Sequence, residues 1–344
     1  MLARVVTFAL DGVDARPVWV EADIRGGLPA FTVVGLADKA VREARERVRA
    51  AVINSGFEFP QKRITVNLAP AYLRKVGPAF DLPLAASVLV ASGQLPAEAV
   101  EDCAVVGELS LTGEVRPVRG ALAIAEGARC AGLRRVVLPR SRAREAALVT
   151  EVEVAGIESL QQTIDVLRGA AEPPPPPPED VDEEPSGLDL SDVRGHNGLV
   201  PGLEIAAAGG HNLFLQGPPG TGKTMLARRL PSILPPLDQA EAIEVTRIQS
   251  VAGLRGGAGL ARERPFRAPH HTISAAGLVG GANPPQPGEA TLAHHGVLFL
   301  DELSEFARPS LEALRQPLED GEVTIVRGQH VMAFPTRFML VAAA

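Results

Sequence analysis

The chain has 344 residues, 46% hydrophobic, 22% charged and only 4% aromatic, with a formal net charge of −7 at pH 7. Its two cysteines, Cys103 and Cys130, exclude a disulfide framework at this length and show no metal-type pairing. No apolar run approaches the ~20 residues of a membrane span. The N-terminal segment meets Asp11 too early for a signal peptide, so no membrane partner and a cytoplasmic location are the expectation.

The acidic balance is local. Residues 1–170 carry 21 basic and 20 acidic groups, 171–187 none and six, and 188–344 carry 13 and 15. Charge therefore neither announces nor excludes a nucleic-acid partner, which would need locally basic loops. The middle segment contains Pro173 to Pro178 unbroken, then Glu179 to Glu184 with five acids among six residues. Proline imposes an extended conformation and the charges keep it solvated, so 171–187 reads as a linker between domains 1–170 and 188–344.

In the first domain, alternation predicts strands at Arg4–Leu10, Pro17–Ile24 and Ala30–Val34, and a helix over Asp38–Asn54. Arg42, Arg45 and Arg49 form a stripe on that helix, better read as a solvated face than as a nucleic-acid contact. Strands at Arg63–Leu68 and Arg135–Leu138, helices at Phe80–Ser92, Ala121–Ala131 and Ser159–Leu167, and a hairpin tip at Thr112-Gly113 complete it. Two strings, Lys75-Val76-Gly77-Pro78-Ala79-Phe80-Asp81-Leu82-Pro83 and Gly107 to Val118, resemble the proteolytic domain of Lon-type proteases. The resemblance implies an α+β domain with a nucleophilic serine in the first string and a lysine base after the second. Here those positions are Ala79 and Leu122, which can neither attack a carbonyl nor accept a proton. The resemblance thus implies a scaffold, not a peptidase.

In the second domain a helix is predicted to start after Pro201 and Gly202, both poor mid-helix residues. Leu213-Phe214-Leu215 then reads as a buried strand feeding Gly217-Pro218-Pro219-Gly220-Thr221-Gly222-Lys223-Thr224, which matches G-x-x-x-x-G-K-[ST]. A helix over Met225–Leu230 follows. Strand, glycine loop and helix N-terminus together aim backbone N–H groups at an anion. Lys223 reaches the terminal phosphates, and Thr224 joins a Mg²⁺ shell. Gly217 through Met225 are the candidate ATP-binding residues.

Some eighty residues on, Val297-Leu298-Phe299-Leu300 is an apolar strand ending in Asp301-Glu302. Ligands of parallel sheets sit at such C-terminal ends. Asp301 is the candidate Mg²⁺ ligand and Glu302 the candidate base that orients water, with Lys223 the other catalytic candidate. Between the motifs lie a helix at Glu241–Val251 and a long Gly/Pro/His-rich passage, 251–289, containing Arg255, Arg262, Arg264 and Arg267. The pairs His270-His271 and His294-His295 invite a zinc reading. Adjacent histidines do not easily face one ion and no cysteine joins them, so hydrogen-bonded structural histidines or polar contacts near the nucleotide are preferred. A helix at Ser310–Glu319 precedes two strands, 322–326 and 331–334, flanking the polar tip Arg327-Gly328-Gln329-His330; Arg337–Val341 is the next core strand.

This order of phosphate loop, long insert, acidic strand and hairpin resembles AAA+ ATPases of the helix-2-insert type. Leu203–Leu213, Arg264–Thr272 and Leu292–Leu303, preceded by a Lon-like domain, resemble the YifB/ComM family of magnesium chelatase-like proteins. That resemblance implies an α/β fold with a parallel P-loop sheet and a homo-hexameric, ATP- and Mg²⁺-dependent DNA motor. In this family such motors promote branch migration of incoming DNA during natural transformation. It also makes Arg327, Gly328, Gln329, His330 and the glycine-rich stretch near Gly280 candidate DNA-contacting loops, tracking phosphates without reading sequence. Where the family pattern has asparagine, this chain has His295. The implied sensor asparagine, arginine finger and lid arginine fall beyond Ala344, so the expectation for this chain is ATP binding with little turnover. Two other functions fit the same residues: a chelatase-type motor remodelling a protein partner, and a nucleotide-responsive adaptor without activity.

Overall fold

A computed structural model describes residues 2–36, 38–178, 187–195, 198–255, 259–281, 286–327 and 330–344. Its contacts divide the chain into two compact units, Met1–Glu179 with Gly253–Gly259, and Asp180–Ala252 with Leu260–Ala344.

In chain order the first unit contains β1 (Leu2–Asp11), β2 (Asp14–Arg25), β3 (Ala30–Val34), α1 (Lys39–Asn54), β4 (Arg63–Ala69), α2 (Asp81–Ala91) and β5 (Cys103–Val105). It continues through β6 (Glu108–Leu109), β7 (Val115–Arg116), α3 (Ala121–Cys130), β8 (Arg135–Pro139), α4 (Ala143–Ala146), β9 (Glu153–Ile157) and α5 (Leu160–Leu167). Seven of these strands form a mixed sheet in the order β3-β4-β2-β1-β5-β8-β9. β1, β2 and β4 pair antiparallel, whereas β5, β8 and β9 add in parallel after crossovers. Period-2 patterning puts Val5, Val18, Val20, Ile64, Val66 and Leu68 into the core, against α1 and the entirely buried α2.

Inside that core lies a charge. Asp81, at the start of α2, is fully buried, and Arg47 of α1 grips it through Nε (2.7 Å) and Nη2 (3.0 Å). The Leu109 amide donates to the same carboxylate at 3.3 Å. Burial pushes the Asp81 carboxyl above its usual range, against the opposing pull of Arg47. One side chain therefore ties α1, α2 and β6 together.

The second unit contains α6 (Val200–Gly209), β10 (Leu213–Leu215), α7 (Lys223–Ala227), α8 (Gln239–Ala252), β11 (Phe266–Arg267), α9 (Ala275–Val279), α10 (Glu289–Leu292) and β12 (Val297–Leu300). Then follow α11 (Arg308–Ala313), α12 (Arg315–Asp320), β13 (Glu322–Arg327), β14 (His330–Pro335) and β15 (Met339–Ala343). Four strands form an all-parallel sheet, β10-β15-β12-β11. Along β12, Val297 and Phe299 join one apolar cluster with Leu203, Leu226 and Val341. Leu298 and Leu300 join another with Leu278, Phe306 and Leu314. Both faces of the strand are covered, which is why its sequence is a continuous apolar run.

Two expectations shift. α6 begins at Val200, before Pro201 and Gly202, because proline within the first turn has no intrahelical N–H bond to lose. The helix expected over Ser310–Glu319 is two, changing over at Leu314, with Pro317 inside the second. No helix among the described residues is long and apolar enough to cross a membrane.

Candidate functional site

The loop after β10 and the carboxylates after β12 leave the same end of the parallel sheet, with only β15 between their strands. Two strand spacings, about 10 Å, would keep them apart if the loop did not lean across. It does so through Gly220 (φ 79°) and Gly222 (φ 83°), both in the left-handed region that a side chain would resist. Gly222 caps α7, and Thr224 in the first turn reaches over, its Oγ1 donating to Asp301 Oδ2 at 2.6 Å. Residues 77 apart in sequence thus meet in one hydrogen bond.

Lys223 Nζ folds over the loop and donates to the carbonyls of Gly217 (2.6 Å) and Pro218 (3.1 Å), and Thr221 Oγ1 bonds Pro218 O at 2.9 Å. Pro219 and Gly220 form the exposed crest, and Met225 is partly exposed beside it. The hydroxyl, the carboxylate and the ammonium are the donor set that a magnesium–triphosphate needs, and they stand on one side of one loop. Bound there, Mg²⁺ would be held by Thr224 and Asp301.

Glu302 stands in a left-handed conformation (φ 53°), with its amide donating to Asp301 Oδ1 at 3.0 Å. A non-glycine residue in this region carries strain of about 1 kcal/mol or more. The carboxylate is exposed, with Oε2 lying 3.5 Å from His271 Nδ1. The His271 ring in turn lies tilted against His270, centroids 4.0 Å apart, and meets Phe306 edge-on at 6.4 Å. His271, from the first of the two histidine pairs noted in the sequence, is thus a neighbour of the candidate base.

The other histidine pair is elsewhere, at the N-terminal end of β12. Contrary to the expectation from chain geometry, both rings face one point. His294 Nε2 and His295 Nε2 lie 2.8 and 2.9 Å from the same oxygen, Glu244 Oε2 on α8. His295 achieves this from a left-handed backbone (φ 57°). The three ligating atoms fall within 4.8 Å of one another, as in a metal site. The tautomer argues otherwise. The Arg337 amide donates to His294 Nδ1 at 3.0 Å, so that nitrogen bears the lone pair and Nε2 bears the proton handed to Glu244. A cation at Nε2 would require an imidazolate. Burial holds the His294 imidazole down to about 4, and so neutral. Burial pushes the Glu244 carboxyl up, but the bonds from His294 and His295 outweigh it and leave it below its usual range. The pair is structural, the first of the two preferred readings.

The arginines of the long passage are likewise engaged. Arg264 donates to the carbonyls of Pro235, Pro236 and His295 and to Glu241, and Arg267 makes a two-pronged bond to Glu289 at 2.6 and 2.8 Å. Arg255 and Arg262 also have partners. The hairpin forms as expected, β13 and β14 pairing antiparallel with Arg327 opposite His330. Its tip residues Gly328 and Gln329 lie outside the described residues, as do 282–285 of the glycine-rich stretch. Neither Ala79 nor Leu122 carries a titratable group. The Leu122 amide is bonded to the buried Glu145 carboxylate at 3.0 Å.

Fold and loop define a P-loop protein of the magnesium chelatase-like AAA+ class joined to a Lon-like domain. Residues 189–344 match the family described as magnesium chelatase, subunit ChlI, and residues 20–142 match that described as subunit ChlI of Mg-chelatase. The chain is 47% identical over 342 residues to YifB of Salmonella typhimurium, covering 99% of this chain and 67% of the relative. It is 46% identical over 348 residues to competence protein ComM of Haemophilus influenzae, covering 99% and 68%. Lon protease of Chloroflexus aurantiacus is 32% identical over 131 residues, 36% of this chain and 16% of the protease. The chain belongs to the YifB/ComM family.

Proposed function

We propose that this chain forms the nucleotide-binding part of an ATP-driven DNA motor, a homo-hexamer that moves branched or single-stranded DNA. One observation carries the ATPase half of this reading: the Thr224–Asp301 bond, which sets the loop's hydroxyl and the strand's carboxylate around one site. Bound Mg²⁺ supplies charge neutralisation at the phosphate oxygens. The chain's own residues do the rest. The loop amides and α7 hold the phosphates, Lys223 moves from its carbonyl partners onto them, and Glu302 orients the attacking water. The DNA half rests on membership in a family with a competence protein and on the hairpin ending in Arg327 and His330.

A chelatase-type motor working on a protein partner is the second reading, favoured by the names of both matching families. ATP turnover by the full-length protein, measured with and without forked DNA, separates them. Stimulation by DNA that weakens steeply with salt supports the DNA motor. Equal turnover across all DNAs overturns it in favour of a protein substrate.

A further inference from the structure

The proline run is not idle between the units. Arg140, directly after β8, and Arg144, in α4, each donate to it. Arg140 Nε bonds the Pro175 carbonyl at 3.0 Å, and Arg144 forks Nε and Nη2 onto the Pro177 carbonyl at 3.3 and 3.1 Å. We propose that this two-arginine face is a binding surface for a polyproline II segment, and that its occupant is the chain's own Pro173–Pro178.

Three features make the fit. First, the chemistry is complementary: a proline run has no N–H to offer and only carbonyls to accept with, whereas a guanidinium has only donors. Second, the spacing matches. Four residues of helical chain advance roughly 6–7 Å, and carbonyls two residues apart in polyproline II are separated by roughly 6 Å. Third, Pro173, Pro174 and Pro177 are half-buried while Pro175, Pro176 and Pro178 are exposed, so the run is partly covered along its length.

The surface is also held ready. Arg140 Nη1 is braced at 2.7 Å by Glu158, which orients its guanidinium. Gly156 of β9 lies beneath, where an added Cβ would come within 2.9 Å of Ala143 and 3.1 Å of Arg140 Cα. Glycine at that point lets the arginine-bearing segment sit directly on the sheet.

This inference is independent of the ATPase reading.

The experiment is side-chain NMR of the arginine Nε–H groups in the whole chain. Replacing Pro173–Pro178 with alternating Gly and Ser should speed water exchange at Arg140 and Arg144 about ten-fold or more. Arg134, bonded to Asp102 in the same unit, is the internal reference and should not change. A milder variant, Pro175→Gly with Pro177→Gly, keeps the chain length and guards against misfolding. It should give a several-fold acceleration at the same two arginines, because glycine loses more freedom on seating than proline. Unchanged exchange at Arg140 and Arg144 in this milder variant overturns the proposal.

Discussion

Removing Arg47 should show what the buried carboxylate of the Lon-like unit costs when it stands alone. Asp81 is fully buried, and its only cationic partner among the described residues is Arg47, at 2.7 and 3.0 Å. In Arg47→Met the apolar stem is roughly preserved, so the loss is electrostatic rather than a cavity. An uncompensated charge of this kind costs about 3–5 kcal/mol, or about 2–4 °C of Tm for each kcal/mol in a unit of this size. The sign with pH is fixed. Asp81 already sits above the usual carboxylate range, burial outweighing Arg47, and without Arg47 it must rise further. An acid whose folded pKa is raised binds its proton more tightly in the native state, so its favourable contribution is present at low pH and lost as pH rises through the folded pKa. The penalty of Arg47→Met should therefore be largest at pH 7.5 and shrink toward pH 5. Urea unfolding at both pH values measures it. Arg47→Met with Asp81→Asn should recover most of the loss, since the amide oxygen still accepts from Leu109. A penalty under 1 kcal/mol at pH 7.5, or one that does not change with pH, would show that the carboxylate is hydrated in solution and refute the reasoning.

Four further outcomes follow from the second unit. Lys223→Ala should abolish nucleotide binding by calorimetry, because it removes the only ammonium at the loop. Retained affinity would count against any ATPase reading. Glu302→Gln should leave that affinity within a few-fold and stop turnover in the full-length protein, a split checked by parallel binding and phosphate-release assays. His294 has its folded pKa depressed to about 4 by burial, so it contributes stability above the unfolded value near 6.5 that is lost as pH falls toward 4. The full loss is on the order of 3 kcal/mol, and His294→Gln should flatten unfolding curves across that window. Gly296→Ala would place a Cβ 2.0 Å from the Pro265 carbonyl oxygen, between β11 and β12. A thermal-melting loss of several degrees is expected, and an unchanged midpoint would show that the strands can separate there.

Much of this protein was readable without coordinates. The phosphate loop, the apolar strand ending in Asp301-Glu302 and the hairpin are local patterns, in which neighbouring residues carry both the structure and the chemistry. The proline run reads as a linker for the same reason, since proline dictates its own backbone. The start of α6 was misplaced because proline's cost depends on its position in the helix, which periodicity does not report.

What folding alone decided is which distant groups share a site. The motifs assign Thr224 and Asp301 to one Mg²⁺, but nothing in the sequence says that β15 lies between β10 and β12 or that the two side chains bond directly. Two adjacent histidines do not easily face one point, yet with His295 in a left-handed conformation both reach Glu244, about fifty residues away. In the long passage, Arg264 and Arg267 close on carboxylates and carbonyls supplied by other elements. A sequence fixes the chemical type of each group and its local backbone. Only the packed chain fixes its partner, because a hydrogen bond or ion pair is set within a few tenths of an ångström by elements tens of residues apart.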